Sequence, residues 1–416
     1  MSYLLRHLDS YLDELFPALP AIAIEGAKGV GKTETALRRV TRVLRLDEHD
    51  VAQLVAAGGK DFLERGRRSV LLDEWQHLPQ VWDWVRRMVD DRSTTPVLLT
   101  GSATPRQGTT THSGAGRIVS VLMRPMSLTE RGTTPGGLGL AALLAGDCSF
   151  TAESTMTLPD YAEEVCASGF PGIRPLTSRA RAVQLDSYIE RVIDRDILEQ
   201  GGSIRRPGSL RAWLRSYAAA TSTTASYSAI LDAATAGDSG KPARSTTQTY
   251  RDLLTRIWVL DPVPTWDLNP SAGSRLKTSP KHQLVDPAVS ARLLGTTASA
   301  LMSARPGSGE LFGRLFEALA TLCVRAASLT VDARVGHLRT RNGDHEIDLV
   351  VEDSHGRVVA FEVKLARDVG DRDVAHLAWL KRQLGDRLSA GVVLTAGRHA
   401  YLREDGFLVL PLALLD

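Results

Sequence analysis

Residues Gly26 to Thr33 read GAKGVGKT, directly after the apolar run AIAIE (Ala21–Glu25) and before helix-forming residues from about Lys32 to Val40. The pattern G-x-x-x-x-G-K-[ST] between a strand and a helix is a phosphate loop. Its glycines let main-chain N–H groups close around phosphate oxygens, and the start of the helix favours negative charge. Such a loop needs a strand to leave and a helix to enter, which commits this part of the chain to an α/β layer. Gly26, Ala27, Lys28, Gly29, Val30, Gly31, Lys32 and Thr33 are therefore expected to bind nucleotide. Lys32 would reach the β- and γ-phosphates and the Thr33 hydroxyl would hold magnesium.

Further apolar runs surround the loop: RVLRL (Arg42–Leu46), SVLLD (Ser69–Asp73), PVLLT (Pro96–Thr100) and RIVSVLM (Arg117–Met123). Separated by helical stretches, they predict a parallel sheet covered on both faces. The third run ends in Asp73 and Glu74. Asp73 is expected in the magnesium shell, and Glu74 is expected to orient and deprotonate the attacking water. LLTGSA (Leu98–Ala103) ends a strand in small polar residues. Thr100 or Ser102 is a candidate sensor between water and γ-phosphate, and an ordinary β-turn is the alternative. Arg117 is a candidate γ-phosphate contact, in cis or from a neighbouring subunit, or else a surface arginine. The intervening TPRQGTTTHSGAG (104–116) reads as a loop beside the active edge.

These motifs, with MRPMSLTE (Met123–Glu130), GFPG (Gly169–Gly172), YIERVIDRDI (Tyr188–Ile197), TYRDLLTRIWVLDPVPTW (Thr249–Trp266) and the tail EIDLVVE…AFEVK, resemble a family of bacterial and archaeal AAA-type ATPases. In that family the ATPase is fused to a C-terminal domain of unknown function. The likeness runs from about residue 5 to the C-terminus. The family commonly has arginine where this chain has Lys28, and often a second glycine where Ser168 stands. The resemblance implies an ASCE-type P-loop NTPase domain, then a helical region with a winged-helix-like unit, then a restriction-endonuclease-like α/β domain. The corresponding boundaries are 1–135, 155–268 and 305–416.

In the middle region Tyr250, Leu253, Leu254 and Ile257 fall at helical spacing and form an expected buried stripe. Arg244, Arg251 and Arg256 on that segment, and the basic cluster Ser203–Arg215 with its Trp213, are candidate contacts for DNA phosphates. A solvated basic face is the alternative. In the last hundred residues Glu317 on a helix, Asp348 in EIDLVV, and Glu362 with Lys364 at a strand end resemble a PD-(D/E)xK nuclease core. Asp348 and Glu362 would be hard oxygen ligands for magnesium, Lys364 would stabilise charge on water or phosphate, and Glu317 would support the shell. Residues 362 and 364 share one strand face. The alternative is a retained fold that cuts nothing.

Composition sets outer limits. The 416 residues suggest two to three domains, and 43% hydrophobic with 24% charged residues is a globular balance. The formal charge of +2 neither requires nor excludes nucleic acid. Cys148, Cys166 and Cys323 show no CxxC spacing, which argues against disulfides or structural zinc and fits a reducing cytosol. The N-terminus reads as a charged amphipathic helix and the most apolar stretch, Gly137–Gly146, is too short to span a bilayer. The expectation is a cytoplasmic ATPase, with ATP and magnesium as cofactors and hydrolysis coupled to a DNA-interacting or nuclease-like module. A protein partner or homo-oligomer is also a candidate, and a membrane is not. The alternative is a regulatory ATP switch with a silent nuclease-like domain.

Overall fold

The computed structural model describes residues 3–101, 114–133, 136–197, 207–235, 244–268, 279–340 and 342–416. Its first unit comprises α1 (His7–Leu15), β1 (Ala21–Glu25), α2 (Lys32–Leu37), β2 (Arg42–Arg45), α3 (His49–Leu63), β3 (Val70–Asp73), α4 (Gln80–Asp90), β4 (Val97–Gly101) and β5 (Val119–Leu122). The strands form a five-stranded sheet in the order β2-β3-β4-β1-β5, and every pair is parallel. Alternation along each strand divides the side chains between two buried faces. Ala21, Ala23, Leu72 and Leu99 pack with Val55 of α3 and Val81 and Val85 of α4. Ile22, Ile24, Leu71 and Leu98 pack with Leu8 and Leu12 of α1 and with the helical unit that follows. Burial on both sides is why these strands read as unbroken apolar runs.

β4 lies between β1 and β3, pairing Glu25 with Gly101 and Asp73 with Thr100. The carboxyl ends of three strands therefore open onto one edge, where ligands of open α/β sheets bind.

Beyond β5 the chain forms α5 (Leu140–Leu144), β6 (Ala152–Glu153) and α6 (Leu158–Ala167). Leu140, Leu143, Tyr161 and Val165 join a core with Phe312, Phe316 and Val392, so this stretch belongs to the C-terminal unit. This differs from the boundaries at 155 and 305. A five-residue helix and a two-residue strand bury too little alone, and they complete the edge of a larger sheet instead.

The helical unit follows: α7 (Ser178–Arg191), a π-helical turn at Val192–Asp196, α8 (Pro207–Ala219), α9 (Tyr227–Ala234) and α10 (Arg244–Arg256). Tyr250, Leu253, Leu254 and Ile257 are buried as the spacing predicts. After α10, residues 259–263 pair antiparallel with 281–285, through bonds such as Val263 N–H to Lys281 O at 2.9 Å and Val285 N–H to Val259 O at 2.9 Å. Then come α11 (Pro287–Leu293), α12 (Ala298–Leu301) and the long α13 (Ser308–Ala327), buried on most of its length.

The last unit adds β7 (Arg334–Arg339), β8 (Glu346–Glu352), β9 (Val358–Lys364), α14 (Ala375–Leu384), β10 (Leu388–Thr395), β11 (His399–Leu402) and β12 (Leu408–Pro411). With β6 they make a seven-stranded sheet, β6-β11-β12-β10-β9-β8-β7. The β7–β8–β9 meander is antiparallel, whereas β9–β10 and β10–β12 are parallel. Among the described residues no helix is long and apolar enough to cross a membrane.

Candidate functional site

The loop after β1 is shaped by close approach. Gly26 has φ +145°, and a Cβ there would lie 2.3 Å from the Met123 carbonyl oxygen. Gly31 has φ +104°, with Pro171 and Arg6 closing over the space beside it. Only glycine suits such positions. The GFPG segment thus backs the loop from the helical side. It is pinned by Asp286, which accepts from the Ser168 hydroxyl at 2.7 Å and from Gly169 N–H at 2.8 Å.

Lys32 opens α2 and is almost fully buried. Its Nζ donates to the carbonyls of Gly26 at 2.8 Å and Ala27 at 2.9 Å. Burial lowers its pKa to about 8, although Glu74 and Asp73 pull the other way. Thr33, the next residue, donates its hydroxyl to Asp73 Oδ1 at 2.8 Å, and Thr100 donates to the same oxygen at 2.5 Å. The phosphate loop, the acid-tipped strand and the end of β4 therefore meet around one carboxylate. Beyond it, Glu74 takes a left-handed φ of 52° and accepts from the Gln76 amide. Trp75 turns inward and stacks on Trp82 at 4.7 Å, and Gly101 leaves room for the Trp75 and Gln76 side chains.

One sequence candidate falls outside the described residues, and another does not join this group. Ser102 lies outside the described residues. Arg117 precedes β5, whose register pairs Ile22 with Val119. That puts Arg117 at the amino end of the sheet, opposite the phosphate loop, where it ion-pairs with Asp90 at 2.9 Å. The structure does not bring it to a γ-phosphate in cis. The parallel register is the reason.

Residues the sequence did not single out also hold the loop. Arg6, buried on α1's N-terminal flank, donates to the Val30 carbonyl at 2.9 Å and the Arg124 carbonyl at 2.7 Å. Lys28 Nζ lies 2.6 Å from Asp196 Oδ1, in the π-helical turn of the helical unit. Arg124, just past β5, meets Asp261 at 2.6 Å, and Arg325 of α13 meets the same carboxylate at 2.9 Å. Burial alone would raise the Asp261 pKa, but the two guanidiniums hold it below the usual carboxylate range. Each of these pairs is distant in sequence, and no local pattern announces it.

The basic segments look different from their expected form. Trp213 is buried, 5.3 Å from the Tyr217 ring, so it offers no stacking face. Arg251 lies over the Tyr227 ring at 4.8 Å. The Arg244 side chain and residues 203–206 lie outside the described set. An open groove of about 640 Å³ instead lies where α8 and α9 face Arg314 of α13 and Arg339 of β7, with Thr223 and Thr224 on its wall.

The C-terminal residues do converge. Glu317, Asp348 and Glu362 are all largely buried, and Lys364 Nζ lies 3.2 Å from Glu362. A fifth residue, Lys281, joins them from the strand pair of the helical unit. It donates to Glu317 at 2.8 Å and Asp348 at 2.9 Å. Burial raises the Glu317 carboxyl to about 8 and the Glu362 carboxyl well above its usual range, in both cases with Asp348 adding to the effect. Burial would raise Asp348 as well, yet Lys281 and the Val363 N–H hold it low.

Residues 19–131 match the AAA domain family. Residues 158–300 match a domain of unknown function, DUF8612, and residues 312–415 match another, DUF4143. Among solved structures, a Walker-type ATPase of Pyrococcus abyssi is similar at 14% identity and a TM-score of 0.43, over 68% of this chain and 94% of that one. The ORC2 protein of Aeropyrum pernix is similar at 14% identity and a TM-score of 0.29, over 75% and 92%. A search of curated proteins finds no match. The first unit is an AAA-type P-loop ATPase domain, and the chain is an ATP hydrolase.

Proposed function

We propose that ATP hydrolysis at this loop resets the helical unit, and with it a nucleic-acid-binding groove between that unit and the C-terminal domain. The observation that carries the reading is the 2.6 Å pair between Lys28 of the phosphate loop and Asp196 of the helical unit. A bound triphosphate offers Lys28 a stronger anionic partner a few ångströms away. The ammonium can serve only one well, so nucleotide state biases the contact with Asp196.

At the loop, Lys32 leaves its two carbonyls for the β- and γ-phosphates, losing no ion pair in the move. Thr33 and Asp73 suit magnesium, a hydroxyl and a carboxylate oxygen already side by side; the ion would neutralise phosphate charge. Glu74 orients and deprotonates the attacking water, with Gln76 fixing its carboxylate. Thr100 holds Asp73 in place.

The residues after α10 read as the wing of a winged-helix-like unit, and β7 to β10 with α13 read as a PD-(D/E)xK-like fold. The groove between them shows hydroxyls and guanidiniums, a mixture suited to phosphate oxygens. Among the described residues, the buried Arg314 Nε has no hydrogen-bond partner.

Turnover assays test the first half. Lys32→Ala loses ATP binding and hydrolysis; Glu74→Gln binds ATP while turnover falls by about 10²–10⁴. Wild-type turnover in both variants refutes the assignment. DNA titrations across salt test the second half. Arg314→Ala and Arg339→Ala each lower the logarithmic salt slope by about one, and Asp196→Asn removes the difference between ATP and ADP. Unchanged slopes exclude the groove, and an unchanged nucleotide effect excludes the Lys28–Asp196 route.

A further inference from the structure

A divalent ion in the C-terminal cluster would need oxygen lone pairs of Glu317, Asp348 and Glu362 free to converge on one point. The point of convergence is taken. Lys281 Nζ stands 2.8 Å from Glu317 Oε1, 2.9 Å from Asp348 Oδ1 and 3.6 Å from Glu346 Oε1. The second oxygen of Asp348 accepts the Val363 N–H at 2.9 Å, and Glu362 faces Lys364. Among the described residues no group of three or more His, Cys, Asp or Glu side chains is arranged to hold a metal. The donor set does not fit the ion that a PD-(D/E)xK site uses.

We propose that the Lys281 ammonium is a built-in cation that replaces the divalent metal in this cluster and fastens the helical unit's strand pair to the C-terminal sheet. The proposal rests on the reading of that sheet as PD-(D/E)xK-like. An ammonium has three donors and the charge the carboxylates require, but it activates no water and polarises no phosphate as a divalent ion does. With Lys281 in place, the cluster does not cut.

Lys281 is not a surface side chain that has swung in. It is completely buried, and its own N–H and C=O pair with Val263 at 3.0 and 2.9 Å. Its neighbours are equally committed. His282 Nε2 lies 2.7 Å from the Ala225 carbonyl, and the Gln283 amide donates to Ser222 at 3.0 Å. Without the ammonium, Glu317, Glu346, Asp348 and Glu362 would crowd together with two cations beside them among the described residues, Lys364 at 3.2 Å from Glu362 and Arg339 at 3.8 Å from Glu346, and neither pairs with Glu317 or Asp348. A hydrated divalent ion is the chemistry that such a vacated place takes up.

The test is a Mn²⁺ titration of nucleotide-free full-length chain, followed by electron paramagnetic resonance and thermal melting. Wild type is expected to bind no Mn²⁺ that depends on Asp348, and its melting temperature should not respond to Mn²⁺ or EDTA. Lys281→Ala should melt lower, bind a single Mn²⁺ and regain melting temperature with it; adding Asp348→Asn should abolish both responses. Lys281→Arg, which keeps a cation, should stay metal-indifferent. A Lys281→Ala chain that folds only with Mn²⁺ supports the proposal, and one that ignores Mn²⁺ overturns it. Wild-type Mn²⁺ binding abolished by Asp348→Asn also overturns it, whatever the variants do. Loss of the ATPase reading would appear in Lys32→Ala and Glu74→Gln turnover and would leave this titration unchanged.

Discussion

Two buried lysines divide the molecule. Lys32 rests on two neutral carbonyls, and burial has lowered its proton affinity to about pH 8. Lys281 is buried at least as deeply, yet Asp348 and Glu317 overcome the desolvation and raise its pKa. The first ammonium lacks a full counter-charge and gains one when an anion arrives. The second already has its counter-charges, and nothing is gained by replacing them. Burial alone therefore does not mark a lysine as functional; what it is buried against decides whether it is waiting or finished.

The contrast is sharpest in stability. Lys281→Ala should destabilise the chain by about 3–5 kcal/mol, since removing one partner leaves buried carboxylates uncompensated. Urea unfolding measures this, and a loss near zero would mean the cluster is solvated. His337 comes next. It is fully buried beside this cluster, and burial, with Lys281 adding, lowers its pKa to about 4. The unfolded value is about 6.5, so its contribution is complete above that pH and is lost as pH falls toward 4, amounting to about 3 kcal/mol at most. His337→Gln should remove that part of the acid slope; an unchanged slope would break the prediction.

At the nucleotide site the expected effect is smaller and has the opposite pH sense. Phosphates keep Lys32 protonated, so ATP affinity should fall by roughly tenfold between pH 7 and 9, with proton uptake on binding at the alkaline end. Calorimetry in two buffers of different ionisation heat reads the uptake directly. Thr100→Ala is the mildest change. It removes one of two hydroxyls on Asp73 and should cost about 1 kcal/mol in magnesium-dependent turnover, because Thr33 still holds the same oxygen. A loss as large as that of Lys32→Ala would show that Thr100 acts on substrate directly.

The nucleotide half was legible because its chemistry is local. GAKGVGKT supplies glycines, lysine and hydroxyl within one turn, and the apolar runs reveal a sheet buried on both faces. Only the strand order had to come from the three-dimensional register, and that register is what removed Arg117 from the phosphate edge. The site in the C-terminal half was legible only in its carboxylates and Lys364. Their order along the chain suggested a metal core, but the residue that fills it lies at 281, with no periodicity or motif around it. Asp196, Arg6 and Asp261 were invisible for the same reason. Each acts on a partner more than twenty residues away, so pattern carries no trace of it.

The most direct test counts Mn²⁺ ions bound to the Glu74→Gln chain saturated with ATP. A single tightly held ion per chain is expected, lost when Lys32 is also replaced by alanine. A second ion that survives loss of the nucleotide and disappears with Asp348→Asn would contradict it.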